Sequence, residues 1–331
     1  MEKLVNTKQK DDSTIDQDKL KFAYYPGCSL NSTAIDFNIS VKNLFKALNI
    51  HFEEIRDWNC CGTTPAHNVS KEMPIALSAR NLFLAKNMGL EEIICPCVSC
   101  YCKLSKASIL INNKEIKSES EIKTRKEIFE VFKDMGFKTE EEFNFKVYSL
   151  VELLYKNKEL IRQKFIENKN KNSINSETST IESEILKDLK PVCYYGCVLL
   201  RTEGVTKFDN MENPTSMEEI LDTVGIKSRH FRFKTECCGA ILSLTHKNIV
   251  LKLSKEILDA ALEAGANSIV VCCPLCQQNL DLRQSQINKH YKSKYNIPVY
   301  YISQILGLAM GLSYKDVMID RLFVEPKFLK K

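Results

Sequence analysis

The sequence predicts an α/β protein of two pseudo-symmetric repeated halves, each a small, mainly parallel sheet flanked by helices. Three observations lead there. The chain has 331 residues, enough for about two domains that each bury a core. Its 14 cysteines are clustered, with none in 1–27, 103–192 or 277–331. The clusters also recur in one order: Tyr24-Tyr25-Pro26-Gly27-Cys28 returns as Tyr194-Tyr195-Gly196-Cys197, Cys60-Cys61-Gly62 as Cys237-Cys238-Gly239, and Cys97-x-x-Cys100 as Cys273-x-x-Cys276. Self-similarity of this kind marks a tandem duplication.

Each element follows from local pattern. Phe22 to Tyr25 is a β-prone run before Cys28, and Ala34 to Leu48 carries Ile35, Val41, Leu44, Phe45 and Leu48 at helical spacing. Phe52 to Ile55 leads to Cys60-Cys61, a helix through Leu77, Leu82, Phe83 and Ala85 follows, and Ile93-Ile94 leads to Cys97. In the second half Val192 to Tyr195, Phe231 to Phe233 and Ser268 to Val271 each predict a strand running into a cysteine motif, with a helix from Ile249 to Ala264 before the last. Residues 103–167 read as helical, with apolar stripes through Ile128, Val131, Phe132 and Met135 and through Leu150, Leu153 and Leu154. Tyr300 to Leu312 reads as a core strand and helix. From Asn168 to Thr180 the only apolar side chain is Ile174, a composition that cannot bury enough surface to order itself. The expected division is a first domain at 22–167 that includes the helical segment, a polar linker at 168–190 and a second domain at 191–315.

Composition excludes several classes. Hydrophobic residues at 44% and charged residues at 27% are ordinary for a globular chain and exclude collagen-like, disordered and coiled-coil proteins. The net charge of +5 is spread thinly, with no basic run dense enough to track a phosphate backbone, so no nucleic-acid partner is expected. Residues 1–20 are polar and charged, unlike a secretory signal, and no apolar stretch is long enough for a membrane span. A cytoplasmic location is expected, where thiols stay reduced and closely spaced cysteines hold metal rather than disulfides.

Loops at the carboxyl ends of parallel strands converge on one crevice, so three loops distant in sequence bring five thiols together in each half. Zinc closes its tetrahedron with four ligands, one fewer than the set available. A vicinal Cys-Cys pair chelates one small ion poorly, whereas its sulfurs reach different irons of a larger cluster, and iron–sulfur clusters take thiolate ligands from such loops. Iron–sulfur binding is the reading favoured over structural zinc or redox-active thiols without metal. Gly62 and Gly239 suit a sharp turn or a close approach to a cluster. Cys95, Cys102, Cys193 and Cys272 fall outside the repeat and read as buried small hydrophobes.

The two repeats resemble the CCG domains of the heterodisulfide reductase B subunit, most closely at Cys193-Tyr-Tyr-Gly-Cys197, Glu212-Asn-Pro-Thr-Ser-Met217, Lys234-Thr-Glu-Cys-Cys-Gly239 and Cys273-Pro-Leu-Cys276 through Asn279-Leu-Asp281. The resemblance covers roughly residues 22 to 312. It implies a noncubane [4Fe-4S] cluster on the five cysteines of each half: Cys28, Cys60, Cys61, Cys97 and Cys100 for one, and Cys197, Cys237, Cys238, Cys273 and Cys276 for the other. It also implies a disulfide oxidoreductase acting within a complex. The substrate would be an anionic low-molecular-weight disulfide, in methane-forming archaea the mixed disulfide of coenzyme M and coenzyme B. Two one-electron carriers facing one cavity suit the two-electron cleavage of an S–S bond. The chain has neither a G-x-G-x-x-G nor a P-loop motif, so electrons must come from another protein. The resemblance points to a small ferredoxin-like subunit, itself fed by a flavin-containing one, often with hydrogenase or formate dehydrogenase attached.

His67 and His246, each following a Cys-Cys-Gly motif, are candidates for proton donation or anion contact. Arg201, Lys234 and Lys247 are candidates for recognising substrate anions. Trp58, the only tryptophan, stands two residues before Cys60, where it shields the site or simply packs. Two rival readings are an electron-transferring CCG subunit of another oxidoreductase complex and a non-catalytic zinc scaffold. Relatives of the first kind usually add ferredoxin-type C-x₂-C-x₂-C-x₃-C-P runs, and this chain has none.

Overall fold

The computed structural model describes residues 21–63, 66, 69–70, 72–113, 118–172, 186–202 and 204–326. The first half runs β1 (Phe22–Tyr24), α1 (Gly27–Leu30), α2 (Ile35–Ala47), β2 (Phe52–Glu54), α3 (Met73–Asn87), β3 (Glu92–Cys95), α4 (Val98–Asn112), α5 (Glu119–Asp134), β4 (Lys146–Ser149), α6 (Leu150–Lys156) and α7 (Lys158–Asn172). Its sheet is wholly parallel in the order β2-β1-β3-β4. The second half runs β5 (Pro191–Tyr194), α8 (Gly196–Arg201), α9 (Ser216–Thr223), α10 (Lys247–Glu263), β6 (Ser268–Val271), α11 (Pro274–Leu280), α12 (Gln284–Tyr291), β7 (Val299–Tyr301) and α13 (Ile302–Ala309), with a parallel sheet ordered β5-β6-β7. Strands β1, β3, β5, β6 and β7 read as mainly apolar, buried runs, as parallel strands covered by helices do, whereas β2 and β4, the two edges of the first sheet, carry charged residues.

Three expectations need correction. Phe231 to Phe233 form no strand and lie in loop and turn conformation. In the first half Phe22 donates its amide to the His51 carbonyl at 3.1 Å, opening the β1–β2 ladder. The counterpart of Phe22 is Pro191, which has no amide hydrogen to give. Just before that segment the Arg229 amide donates to the Pro191 carbonyl at 2.7 Å, and no ladder with β5 follows. Residues 103–167 are not helical throughout, because β4 adds an edge strand between α5 and α6; its period-2 signal is only four residues long and is flanked by helical stripes. Helix α7 continues to Asn172, into the stretch expected as linker. Residues 173–185 of that linker lie outside the described residues, as do residues 1–20.

Tyr300 to Leu312 does supply core, as β7 followed by the fully buried α13. In the first half Phe83 gathers Phe132, Phe143 and Phe145 edge-on at 5.0–6.2 Å, the arrangement preferred by the ring quadrupoles.

The halves join by reciprocal exchange. Helix α2, which follows the first cysteine of the first half, packs on α13, which follows the last strand of the second; likewise α9 of the second half packs on α6 of the first. At the first contact Phe37 stacks on Tyr301, centroids 4.1 Å apart and planes 10° apart, beside a 2.7 Å hydrogen bond between the hydroxyls of Ser40 and Ser303. At the second, Tyr155 and Lys158 donate to Glu219 at 3.2 and 2.8 Å. Full burial of a ring such as Phe37 stabilises by about 1.5–3 kcal/mol, so the seam is part of the core.

Candidate metal centre

In the first half Cys28 lies in α1, Cys60 and Cys61 follow β2, Cys97 is the N-cap of α4 and Cys100 lies in its first turn. Cys60 and Cys28 have their Sγ atoms 3.8 Å apart, and Cys61 and Cys100 theirs 3.3 Å apart. In the second half Cys238 and Cys276 bring Sγ atoms to 3.6 Å. Each set is graded from outside to inside: Cys28 and Cys237 are exposed, Cys60 and Cys197 half-buried, and Cys61, Cys97, Cys100, Cys238, Cys273 and Cys276 buried. Among the described residues no three of His, Cys, Asp and Glu are grouped to hold a single metal ion.

The crowding sets the electrostatics. Cys60 is pulled down to about 2 because Cys28 and Cys61 donate to its sulfur and the Gly62 amide adds a third donor, at 3.5 Å. Cys28, left holding the proton, moves up. Cys97 is pulled down by Cys100 and by the amides of Cys100 and Ser99 at the start of α4, against the cost of burial. Such amides favour a thiolate at a helix N-terminus. In the second half Cys238 is pulled down to about 7, mainly by Cys276 as donor, against burial. Thiols this close cannot all ionise without a cation among them.

The backbone around each set is fitted to sulfur. Gly27 and Gly196, just before Cys28 and Cys197, have φ of +71° and +70°; a Cβ on them would stand 2.9 Å from Cys100 Sγ and 3.0 Å from Cys276 Sγ. Gly62 and Gly239 make the expected sharp turns, at φ of +76° and +77°, and the Gly239 amide donates to Cys237 Sγ at 3.3 Å. A cradle that excludes a methyl group, lined by buried thiols and amides aimed at sulfur, fits a thiolate-ligated iron–sulfur group.

Several residues that shape the site carried no chemical motif. Tyr25 donates its hydroxyl to the Asn59 carbonyl at 2.8 Å, and its counterpart Tyr194 donates to the Glu236 carbonyl at 2.6 Å. Each tyrosine thus pins the residue preceding a vicinal cysteine pair; the Tyr-Tyr repeat was the available signal. The first-half loop is braced further by Asn81, which accepts from the Asn59 amide and donates to the Asn59 carbonyl, both at 3.0 Å. The second-half loop is braced by Asn279, which donates to the Cys238 carbonyl at 3.0 Å and its Sγ at 3.6 Å and is held by Arg283.

The remaining candidates separate. Lys234 is buried, its ammonium 2.6 Å from Glu218 and 2.8 Å from the Pro214 carbonyl. Glu218 also accepts from the Tyr195 hydroxyl. Lys234 therefore serves the interior rather than an incoming anion. Arg201 bonds the Thr235 hydroxyl at 3.0 Å and faces Glu212 at 3.7 Å. His246 and Lys247 are exposed at the start of α10, with His246 Nδ1 2.9 Å from the Thr245 hydroxyl. His67 lies outside the described residues. Trp58 packs edge-on against Tyr25 at 5.7 Å. Cys95, Cys102, Cys193 and Cys272 are buried as expected. Cys102 lies at the seam, 3.3 Å from the Thr202 hydroxyl, and Cys95 reaches Cys100.

Tyr301, fully buried between the halves, is within electrostatic reach of both Cys97 and Cys273, as well as of Asp36 and Asp281. No helix among the described residues is long and apolar enough to cross a membrane.

The cysteine-rich domain (CCG) family matches at residues 22–105 and again at 192–281. The 8-methylmenaquinol:fumarate reductase membrane anchor subunit of Wolinella succinogenes is 30% identical over 91% of this chain and 95% of its own length. The B subunit of the ferredoxin/F(420)H(2)-dependent CoB-CoM heterodisulfide reductase of Methanosarcina acetivorans is 28% identical over 91% of this chain and 93% of its own. The B subunit of the ferredoxin:CoB-CoM heterodisulfide reductase of Methanosarcina mazei is 28% identical over 94% and 96%. A crystal structure of a hypothetical protein from Helicobacter pylori shares the fold, with a TM-score of 0.65 at 15% identity over 93% of this chain, which spans 52% of that one. These three curated relatives are named as reductase subunits. Two matched domains, each with its own converging thiols, place the chain in the double cysteine-rich (CCG) domain family, which includes the heterodisulfide reductase B subunit.

Proposed function

We propose that the chain is the disulfide-reducing subunit of a heterodisulfide reductase-type complex. In this reading Cys28, Cys60, Cys61, Cys97 and Cys100 hold one noncubane [4Fe-4S] cluster, and Cys197, Cys237, Cys238, Cys273 and Cys276 hold the other. The substrate is a low-molecular-weight disulfide, the CoB-CoM heterodisulfide or a related one, which leaves as two thiols. The observation that carries the reading is the repetition of the site: each matched cysteine-rich domain draws buried thiols together against a glycine cradle. When bound, the clusters supply the two electrons that S–S cleavage requires.

The chain's own residues then have defined tasks. Tyr25 and Tyr194 fix the vicinal-pair loops, and the exposed edges at Cys28 and Cys237 leave each set reachable from outside. Arg201 and the exposed Lys247 are the proposed cations for an anionic substrate, with His246 as the proposed proton donor. Electrons arrive from a ferredoxin-like subunit and, through it, from a flavin-containing one.

A second reading is favoured by the fumarate reductase relative: the chain passes electrons between partner subunits, and the chemistry on substrate happens elsewhere. Anaerobic purification with the partner subunits, iron and sulfide analysis, and assay with reduced viologen separate the two. Disulfide-dependent viologen oxidation by iron-loaded protein supports disulfide reduction. Iron-loaded protein that is inert to disulfides yet relays electrons between a quinol and a partner establishes the second reading. Colourless, zinc-bound protein overturns both.

A further inference from the structure

In the first half the loop that carries Cys60 and Cys61 leaves from β2, which is laddered to β1. The second half has no strand in that place, and a closed ring of contacts holds the segment before Cys237 instead. The Lys234 carbonyl accepts from the Tyr195 amide at 2.9 Å, and the buried Lys234 ammonium lies 2.6 Å from Glu218 Oε1. The other oxygen of Glu218 accepts from the Tyr195 hydroxyl, which itself accepts from the Met217 amide at 2.7 Å. Lys234 stands three residues before Cys237, and Tyr195 two before Cys197. The ring is anchored outward as well. The Pro214 carbonyl takes the ammonium at 2.8 Å, and Glu219, next to Glu218 on α9, takes Tyr155 and Lys158 from the first half. The first half has Pro26 at the place of Tyr195 and the exposed Asp57 at the place of Lys234, so the ring belongs to the second half alone.

A buried ion pair adds little net stability over apolar residues of the same shape, because both charges lose their water. What it supplies is direction: an ammonium with three donors and a carboxylate with two occupied oxygens accept few arrangements of the chain around them. We infer that the Lys234–Glu218 pair is the positioning element of the second centre, standing in for the missing strand and setting where the Cys237-Cys238 loop lies against Cys197. This rests on the reading that the second half holds a cluster. Lys234 and Glu218 act through the cysteines and are positioning residues.

The test follows iron loss to a chelator in the full chain, with clusters assembled anaerobically and the EPR signal of each reduced centre assigned with Cys61→Ser and Cys238→Ser. Lys234→Met should speed iron loss from the second centre about tenfold and alter its EPR signal, while the first centre keeps its rate and its signal. Glu218→Gln, which keeps the shape and the acceptor for Tyr195, should do the same. The double variant should be no worse than either single one, because one pair is being broken. Folded Lys234→Met protein whose second centre keeps its wild-type rate and signal overturns the inference, and Glu218→Gln decides in the same way should Lys234→Met not fold. Equal acceleration at both centres, or additive losses in the double variant, also overturns it, since either marks a general structural role. Each of these outcomes leaves the two-cluster reading intact. Wild-type protein that takes up no iron overturns the reading beneath instead.

Discussion

The two halves solve one packing problem with different sheets. In the first, β1 is flanked on both sides, by β2 and β3; in the second its counterpart β5 is an edge, because Pro191 replaces the amide that would open the outer ladder. Even so, the cysteine loop that β2 would have introduced keeps its position. The Lys234 carbonyl accepts from the amides of Tyr195 and Gly196 at 2.9 and 3.1 Å, and Tyr194 still reaches Glu236. A strand on that side is thus dispensable, whereas the tyrosine clamp and the glycine cradle are kept in both halves. What is shared marks the requirements of the thiols, and what differs marks where each half is free to be tuned.

The comparison can be broken most decisively at the sulfurs. On the proposed reading, in which each half holds its own cluster, Cys61→Ser and Cys238→Ser should each remove about half of the bound iron, measured per chain after anaerobic assembly. Complete loss from either single variant would show that the halves are not separate sites. Next come the cradles. Gly27→Ala and Gly196→Ala combine an unfavourable positive φ with a clash on a cysteine sulfur, and each should cost about 3 kcal/mol in denaturant titration. Unequal costs would locate the tighter cradle.

Asp281 gives a difference in pH response. It is buried, accepts from the Phe323 and Val324 amides at 2.7 and 3.2 Å, and is pushed up to about 7 by burial. At its counterpart the first half has Ser105. A carboxyl raised in the folded state binds its proton more tightly there than in the unfolded chain, so the stabilisation is present below pH ~4 and is lost as pH rises through 7. Wild type should lose on the order of 2 kcal/mol between pH 5 and 8, and Asp281→Asn should flatten that slope. The smallest expected effect is at the clamps: Tyr25→Phe and Tyr194→Phe should each cost about 1 kcal/mol and slow cluster uptake, read by iron absorbance.

Much of this was legible in the sequence because the repeat carries chemistry. Eight of the ten repeat cysteines follow a strand as expected, and the two glycine turns and most strands fall where their patterns put them, since short apolar runs between helices have few other places to go in a parallel sheet. The failures have physical causes. Phe231-Arg232-Phe233 has the composition of a strand but no donor opposite it, and that lack lies at Pro191, far away in sequence. β4 was hidden by helical stripes on both sides. Lys234 looked like a free cation because nothing local shows that Glu218, brought close only by folding, neutralises it. The loop braces Asn81 and Asn279 are ordinary polar residues until the fold sets them against a backbone carbonyl.

The exchange of α2 onto α13 and of α9 onto α6 has a bearing on ancestry. It is the isologous contact that two identical single-repeat chains would make about a twofold axis, so an ancestral homodimer would already have held its two sulfur nests at a fixed separation. Within one chain neither copy has to mirror the other, which is what permits a paired β1 on one side and an edge strand at Pro191 on the other.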